Sequence, residues 1–178
     1  MGRHKQPAIR DRILDACVDH ALAHGLPERL EPLSTASGAS TRMLIYHFGT
    51  RDTLLREILG RARQRQRDFY GELLRPRPDE PYPETLRRAW RAMTGPAGRP
   101  YLSMFGKLRE SAEQQLWPGF RREATTDWLH PLDEGLPGRG TLVLAVIRGL
   151  ILDLEATGDT TRADEAFDAF LDMLTAYP

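Results

Sequence analysis

The sequence predicts an all-α protein in two parts, a three-helix N-terminal unit of helix-turn-helix type and a larger helical body, about nine helices together. Three observations predict this. Apolar residues recur at three- and four-residue spacing along most of the chain. No stretch shows clean two-residue alternation, so no sheet is expected. Glycine and proline clusters cut the chain into helix-length pieces, and the strongest break is "RPRPDEPYP" at 75–83. At 178 residues the chain is long enough for one good core or two smaller ones.

The first helix, about residues 8–24, is set by Ile9, Ile13, Ala16/Cys17 and Ala21, and Gly25 ends it. A short second helix follows from Leu30 to Ser37, with Pro32 tolerated only in its first turn. Gly38 breaks the chain, and Ser40 caps a third helix that runs to about His47. Gly49 stops it. Thr50 caps a long fourth helix, about 51–74, with Asp52 in its first turn. Beyond the proline-rich break, helices are expected near 84–94, 99–114, 118–130, 140–157 and 162–176. They are punctuated by "GPAGRP", "WPG", "EGLPGRG" and "TGDTT". There is no internal repeat.

The stretch Gly38 to Leu55, "GASTRMLIYHFGTRDTLL", carries the chemistry. Two short helices joined by a glycine turn make a helix-turn-helix pattern, whose second helix can lie in a major groove. At about 100° per residue, Leu44 and Phe48 share the inner face, while Arg42 and Tyr46 point the opposite way. Thr41, Arg42, Met43 and Ile45 are then placed to meet bases, and Ser40, which starts the helix, completes the DNA-binding set. An arginine fork suits guanine, and Met43 and Ile45 suit thymine methyls. Tyr46, His47 and Arg51 are placed for the phosphate backbone, beside the amides that open the next helix. The basic arm Arg3–Lys5 is a further candidate. A plain helical hairpin with a solvated basic face is the competing explanation of the same pattern.

These residues resemble the DNA-binding domain of the TetR-type (TetR/AcrR) transcriptional regulators. "LEPLSTASGASTRMLIYHFGTRDTLL", Leu30 to Leu55, is similar without gaps to the family's Leu, Ala-x-x-Gly-Val-Ser, Leu-Tyr-x-His/Tyr-Phe and Ser-Lys-Glu-x-Leu-Leu blocks. Gly38, Ser40, Leu44, His47, Phe48, Gly49 and Asp52 stand in the family's slots, and Arg51 replaces its usual lysine. Ile45 and Tyr46 depart from the pattern. So do Ala21 in a slot often held by Phe, Arg29 in a Ser/Thr capping slot, and Arg42 where Gly or Pro is frequent. The resemblance implies a helix-turn-helix domain at 1–52 and a ligand-binding and dimerisation domain at 53–178, joined by the long helix about 51–74. It further implies a cytoplasmic homodimeric regulator, most simply a repressor, that binds palindromic double-stranded DNA and is released by a small molecule.

Composition narrows the alternatives. Net charge is zero, with 25 basic and 25 acidic residues. Residues 1–75 hold 13 Lys/Arg against 9 Asp/Glu, so the remaining 12 against 16 leave the second part acidic. Cys17 is the single cysteine, which excludes an intrachain disulfide and reads as a buried thiol. The start "MGRHKQPAIRD" does not look like a secretory leader. The longest apolar run, "TLVLAVIRGLIL", is shorter than the roughly 18 residues of a membrane span, so no membrane partner is expected. His20 and His24 have metal-ligand spacing, but Asp15 and Asp19 give no convergent third ligand. No metal or cofactor is expected. Gly-x-Ser-x-Gly, His-Glu-x-x-His and the phosphate-loop motif are absent, so no catalytic residue is assigned. A helical enzyme or small-molecule carrier with a structural N-terminal hairpin is the rival class.

The body holds all three tryptophans. Trp90, Met93, Phe105, Leu108, Trp117, Phe120 and Trp128 form its core or, as the resemblance implies, line a pocket among residues 84–150 for an apolar or amphipathic effector. Arg148, inside the apolar run, needs an acid, water or an anionic ligand. Leu142, Val146, Gly149 and Leu150, with Phe167, Phe170, Leu171 and Leu174, form apolar stripes. Those stripes predict a homodimer through residues 140–176.

Overall fold

The structure, a computed structural model, describes residues 7–110 and 115–176, with side chains to residue 106 in the first stretch. Among the described residues there are nine α-helices and no strand. They are α1 (Pro7–His24), α2 (Glu31–Ser37), α3 (Thr41–Phe48), α4 (Arg51–Leu74), α5 (Tyr82–Thr94), α6 (Arg99–Glu110), α7 (Phe120–Gly135), α8 (Gly140–Thr157) and α9 (Thr160–Ala176). The N-cap of α2 is Leu30, one residue after the expected slot at Arg29, and a leucine side chain has no acceptor with which to cap it. None of the described helices is long and apolar enough to cross a membrane.

The chain forms two compact units. The first takes Met1–Gln66 with Ser103–Pro118, and the second takes Arg67–Leu102 with Gly119–Pro178. The division falls inside α4 and again inside α6. Helices 24 and 12 residues long thus each contribute residues to both units.

The first unit buries Ile13, Leu14, Cys17, Val18 and Ala21 of α1, Leu33 of α2, Leu44 and Phe48 of α3, and Leu54, Leu55, Ile58 and Leu59 of α4. Each fully buried Leu or Ile stabilises the unit by roughly 1.5–3 kcal/mol relative to an exposed one. Cys17 is wholly buried, and burial pushes its thiol up, which keeps it protonated and unreactive. An ionic ladder fastens α1 to α4. Arg61 reaches Asp11 at 3.0 Å and Asp15 at 3.5 Å, and Arg65 reaches Asp15 at 2.8 Å and Asp19 at 2.6 Å. The acids lie four apart on α1 and the arginines four apart on α4, so two helical faces align in register. This ladder occupies Asp15 and Asp19, and no cluster of three or more metal-binding side chains occurs among the described residues.

In the second unit the core runs from Leu74 through α5 and α7 to α8 and α9. Trp90 stacks on Phe167 at 4.7 Å and donates its Nε1–H to Asp164 at 2.6 Å. The indole thus satisfies its polar edge within the core. From sequence, α7 is expected to end near residue 130, before Pro131, but it runs on to Gly135. Tyr82 accounts for the extra turn. Its hydroxyl donates to the Pro131 carbonyl at 3.0 Å, and its ring lies against Gly135, where a Cβ would come within 2.0 Å of the ring. A proline removes one N–H donor and its ring crowds the carbonyl four residues back, so a helix passes through it only where neighbours hold the next turn.

Candidate nucleic-acid interface

Local chemistry builds the turn and the helix after it. Gly38 ends α2 with φ +67°, a left-handed conformation that costs a residue with a Cβ about 1 kcal/mol or more. Ser34 Oγ donates to the Ala39 carbonyl at 2.7 Å and closes the turn. Ser40 then adopts an extended backbone, and its Oγ accepts from the Met43 N–H at 3.2 Å. That cap is worth about 1 kcal/mol and fixes where α3 begins. Thr50 repeats the device for α4, with its Oγ1 accepting from the Thr53 N–H at 3.1 Å.

The orientation of α3 follows from its apolar stripe. Leu44 is fully buried and Phe48 nearly so. Arg42, Met43, Ile45 and Tyr46 are exposed, Ser40 is exposed at the helix start, and Thr41 is half-buried. Large apolar and aromatic side chains on a solvent face, flanked by an arginine, make a surface suited to thymine methyls and base edges.

Two predicted backbone contacts stand elsewhere. His47 is 7% exposed and faces inward, with neither ring nitrogen hydrogen-bonded among the described residues. It lies three residues beyond Leu44, about 60° from it on the wheel, so the same periodicity that placed Arg42 outside puts His47 on the inner flank. Arg51 is turned back into its own unit. Its Nη2 donates to the Pro27 carbonyl at 2.8 Å, and its Nη1 meets Asp52 at 3.2 Å. It ties the loop after α1 to the start of α4. The arm Arg3–Lys5 lies outside the described residues.

Arg10 went unrecognised in the sequence. Its guanidinium pairs with Glu57, sits 4.7 Å from the centre of the Phe48 ring, and its Nε–H reaches the His47 carbonyl at 3.5 Å. One side chain of α1 thereby holds the end of α3 against α4. A single arginine 47 residues from its acid leaves no readable sequence signal.

The predicted pocket residues divide between the units. Trp90 is core and hydrogen-bonded, so it is not a free pocket wall. Met93 is half-buried against that core. Phe105 is buried with the Arg63 guanidinium 5.9 Å from its ring centre. Phe120 is buried, Trp117 is half-buried, and Trp128 packs edge-on to Tyr70 at 5.8 Å. The Leu108 side chain lies outside those described. A cavity of about 140 Å³ lies in the first unit, lined by Ala21 to Leu26 and by Ser103 and Met104, none of them a predicted pocket residue.

The predicted interface residues also divide. Phe167, Phe170, Leu171 and Leu174 are buried in their own unit and are not available to a partner. They face α5 and α8 because the strongest apolar stripe of α9 is spent on the intrachain core. Leu142 and Gly149 are exposed, and Val146 and Leu150 are half-buried. Arg148 is exposed too, and its Nη2 donates to Thr125 Oγ1 at 2.9 Å. The exposed apolar positions are instead Leu142, Ala145, Gly149, Leu152 and Ala156 on α8, with Ala166, Ala169 and Met173 on α9. Both series step by threes and fours.

No protein-family model and no curated protein matches the chain in sequence. Solved structures do match in shape. A TetR-family transcriptional regulator from Cytophaga hutchinsonii aligns with a TM-score of 0.75 at 15% identity, over 99% of this chain and 98% of that one. A transcriptional regulator from Rhodococcus sp. Rha1 aligns at 0.70 and 21%, over 92% and 94%. A TetR transcriptional regulator from Streptomyces coelicolor aligns at 0.60 and 24%, over 93% and 97%. The chain has the TetR-type all-α fold.

Proposed function

We propose that this chain is a sequence-specific DNA-binding transcriptional regulator that acts as a cytoplasmic homodimer, a repressor released by a small molecule, and not an enzyme. One observation carries the reading. The outer face of α3, held rigid by the Ser40 cap and the Leu44–Phe48 stripe, presents Arg42, Met43, Ile45 and Tyr46 to solvent. A solvated structural hairpin has no use for three exposed large apolar or aromatic side chains around one arginine. A helix docking in a major groove does.

The exposed seam of α8 and α9 supports pairing of two copies. Small residues at Ala145, Gly149, Ala166 and Ala169 let helices approach closely, with Leu142, Leu152 and Met173 as the larger anchors. Two-fold pairing sets two copies of α3 on half-sites of a palindrome. An effector releases DNA only by binding one of two states more tightly. The decisive experiment is selection of duplexes from a random pool by the purified chain. A palindromic consensus, retained in gel shift by a species of dimer mass, is expected. Recovery of no enriched sequence would remove the regulator reading in favour of a carrier with a structural hairpin.

A further inference from the structure

Tyr70 lies on α4 in the second unit and is 3% exposed. Its hydroxyl has no hydrogen-bond partner among the described residues. Its ring meets Trp128 of α7 in a T-shaped contact at 5.8 Å, with an interplanar angle of 73°. Tyr101 of α6 lies close enough to act on the phenol electrostatically. Arg67, three residues before Tyr70 on α4, pairs at 3.4 Å with Asp127, the neighbour of Trp128 on α7. A sealed phenol without an acceptor is unfavourable, and phenylalanine would fill the same space without that penalty. Positions that sacrifice stability in this way are where binding groups are kept.

We propose that Tyr70, Trp128 and Tyr101 form a subsite for an uncharged aromatic effector with a hydrogen-bond acceptor, such as a ring carbonyl, that accepts from the Tyr70 hydroxyl. This rests on the effector reading of the second unit and names the chemistry of the ligand. The aromatic rings favour a flat aromatic partner through stacked and edge-on contacts. The phenol demands an acceptor. Net charge is disfavoured because the surroundings are apolar and Arg67 is already engaged by Asp127. Burial, reinforced by Tyr101, pushes the Tyr70 phenol up, so it remains a donor at neutral and mildly alkaline pH.

The test uses the full chain and two probes of matched shape, 9-fluorenone, which carries a carbonyl, and fluorene, which lacks one. Binding is followed by tryptophan fluorescence. Fluorenone is expected to bind about tenfold more tightly than fluorene. Tyr70→Phe should bring fluorenone to the level of fluorene and leave fluorene unchanged. Without any probe, Tyr70→Phe should melt at the same temperature as the wild type or higher. Equal affinity for the two probes, binding of neither, or a lower melting temperature for Tyr70→Phe would each overturn the proposal; the last would mean that the hydroxyl has a structural partner. The regulator reading is checked separately, by DNA retention of the probe-free wild type.

Discussion

Arg42 and Arg51 lie nine positions apart in the stretch that the sequence marks for DNA, and their substitution should separate reading from scaffolding. Arg42 is exposed on the outer face of α3. Arg42→Ala should weaken binding to the selected duplex by about 1–3 kcal/mol, relax preference at one base position, and leave folding stability within about 0.5 kcal/mol. Arg51 donates to the Pro27 carbonyl at 2.8 Å, a charge-assisted bond whose loss costs about 1–2 kcal/mol of stability. Its pairing with Asp52 adds little, because the two side chains are 38% and 58% exposed. Arg51→Ala should therefore lower the urea midpoint with no change in the slope of log affinity against log salt. Anisotropy titrations at several salt concentrations, on selected and scrambled duplexes, read both effects alongside urea melts. A stable Arg51→Ala protein whose salt slope falls by about one unit would refute the reasoning, since Arg51 would then leave Pro27 for a phosphate. Arg42→Ala weakening every duplex equally would refute base reading by α3.

Three further outcomes are expected. Leu152→Asp with Met173→Asp should give a folded monomer with weakened DNA binding by sedimentation and gel shift, whereas Phe170→Asp should unfold the chain, because Phe170 is core; a dimeric Leu152→Asp/Met173→Asp variant would move the interface elsewhere. Gly135→Ala should cost about 1–3 kcal/mol in a thermal melt, because its Cβ would meet the Tyr82 ring at 2.0 Å, and an unchanged melt would mean that Tyr82 shifts freely. Replacing both Arg61 and Arg65 by Gln should cost about 1–2 kcal/mol at low salt, with the gap to wild type narrowing at high salt. A gap insensitive to salt would show that packing, not charge, joins α1 to α4.

The sequence by itself determined the helices, their caps and the outward face of α3. These are local properties: a serine or threonine three residues before the amide it caps, a glycine where φ must be positive, an apolar residue each turn. The same periodicity placed Arg42 and Tyr46 outside, and applied to His47 it would have placed that residue inside. Tertiary structure alone decided the partners. Pro27 takes Arg51 across 24 residues, Glu57 takes Arg10 across 47, and Asp164 takes the Trp90 indole across 74. It also decided which apolar stripe of α8 and of α9 is buried. A helix that is apolar on more than one side can satisfy the period of its sequence in several orientations, and the choice falls to whichever neighbour fills the space at native density. For α9 that neighbour is the Trp90 side of α5, which claims Phe167 and leaves Ala166, Ala169 and Met173 facing solvent.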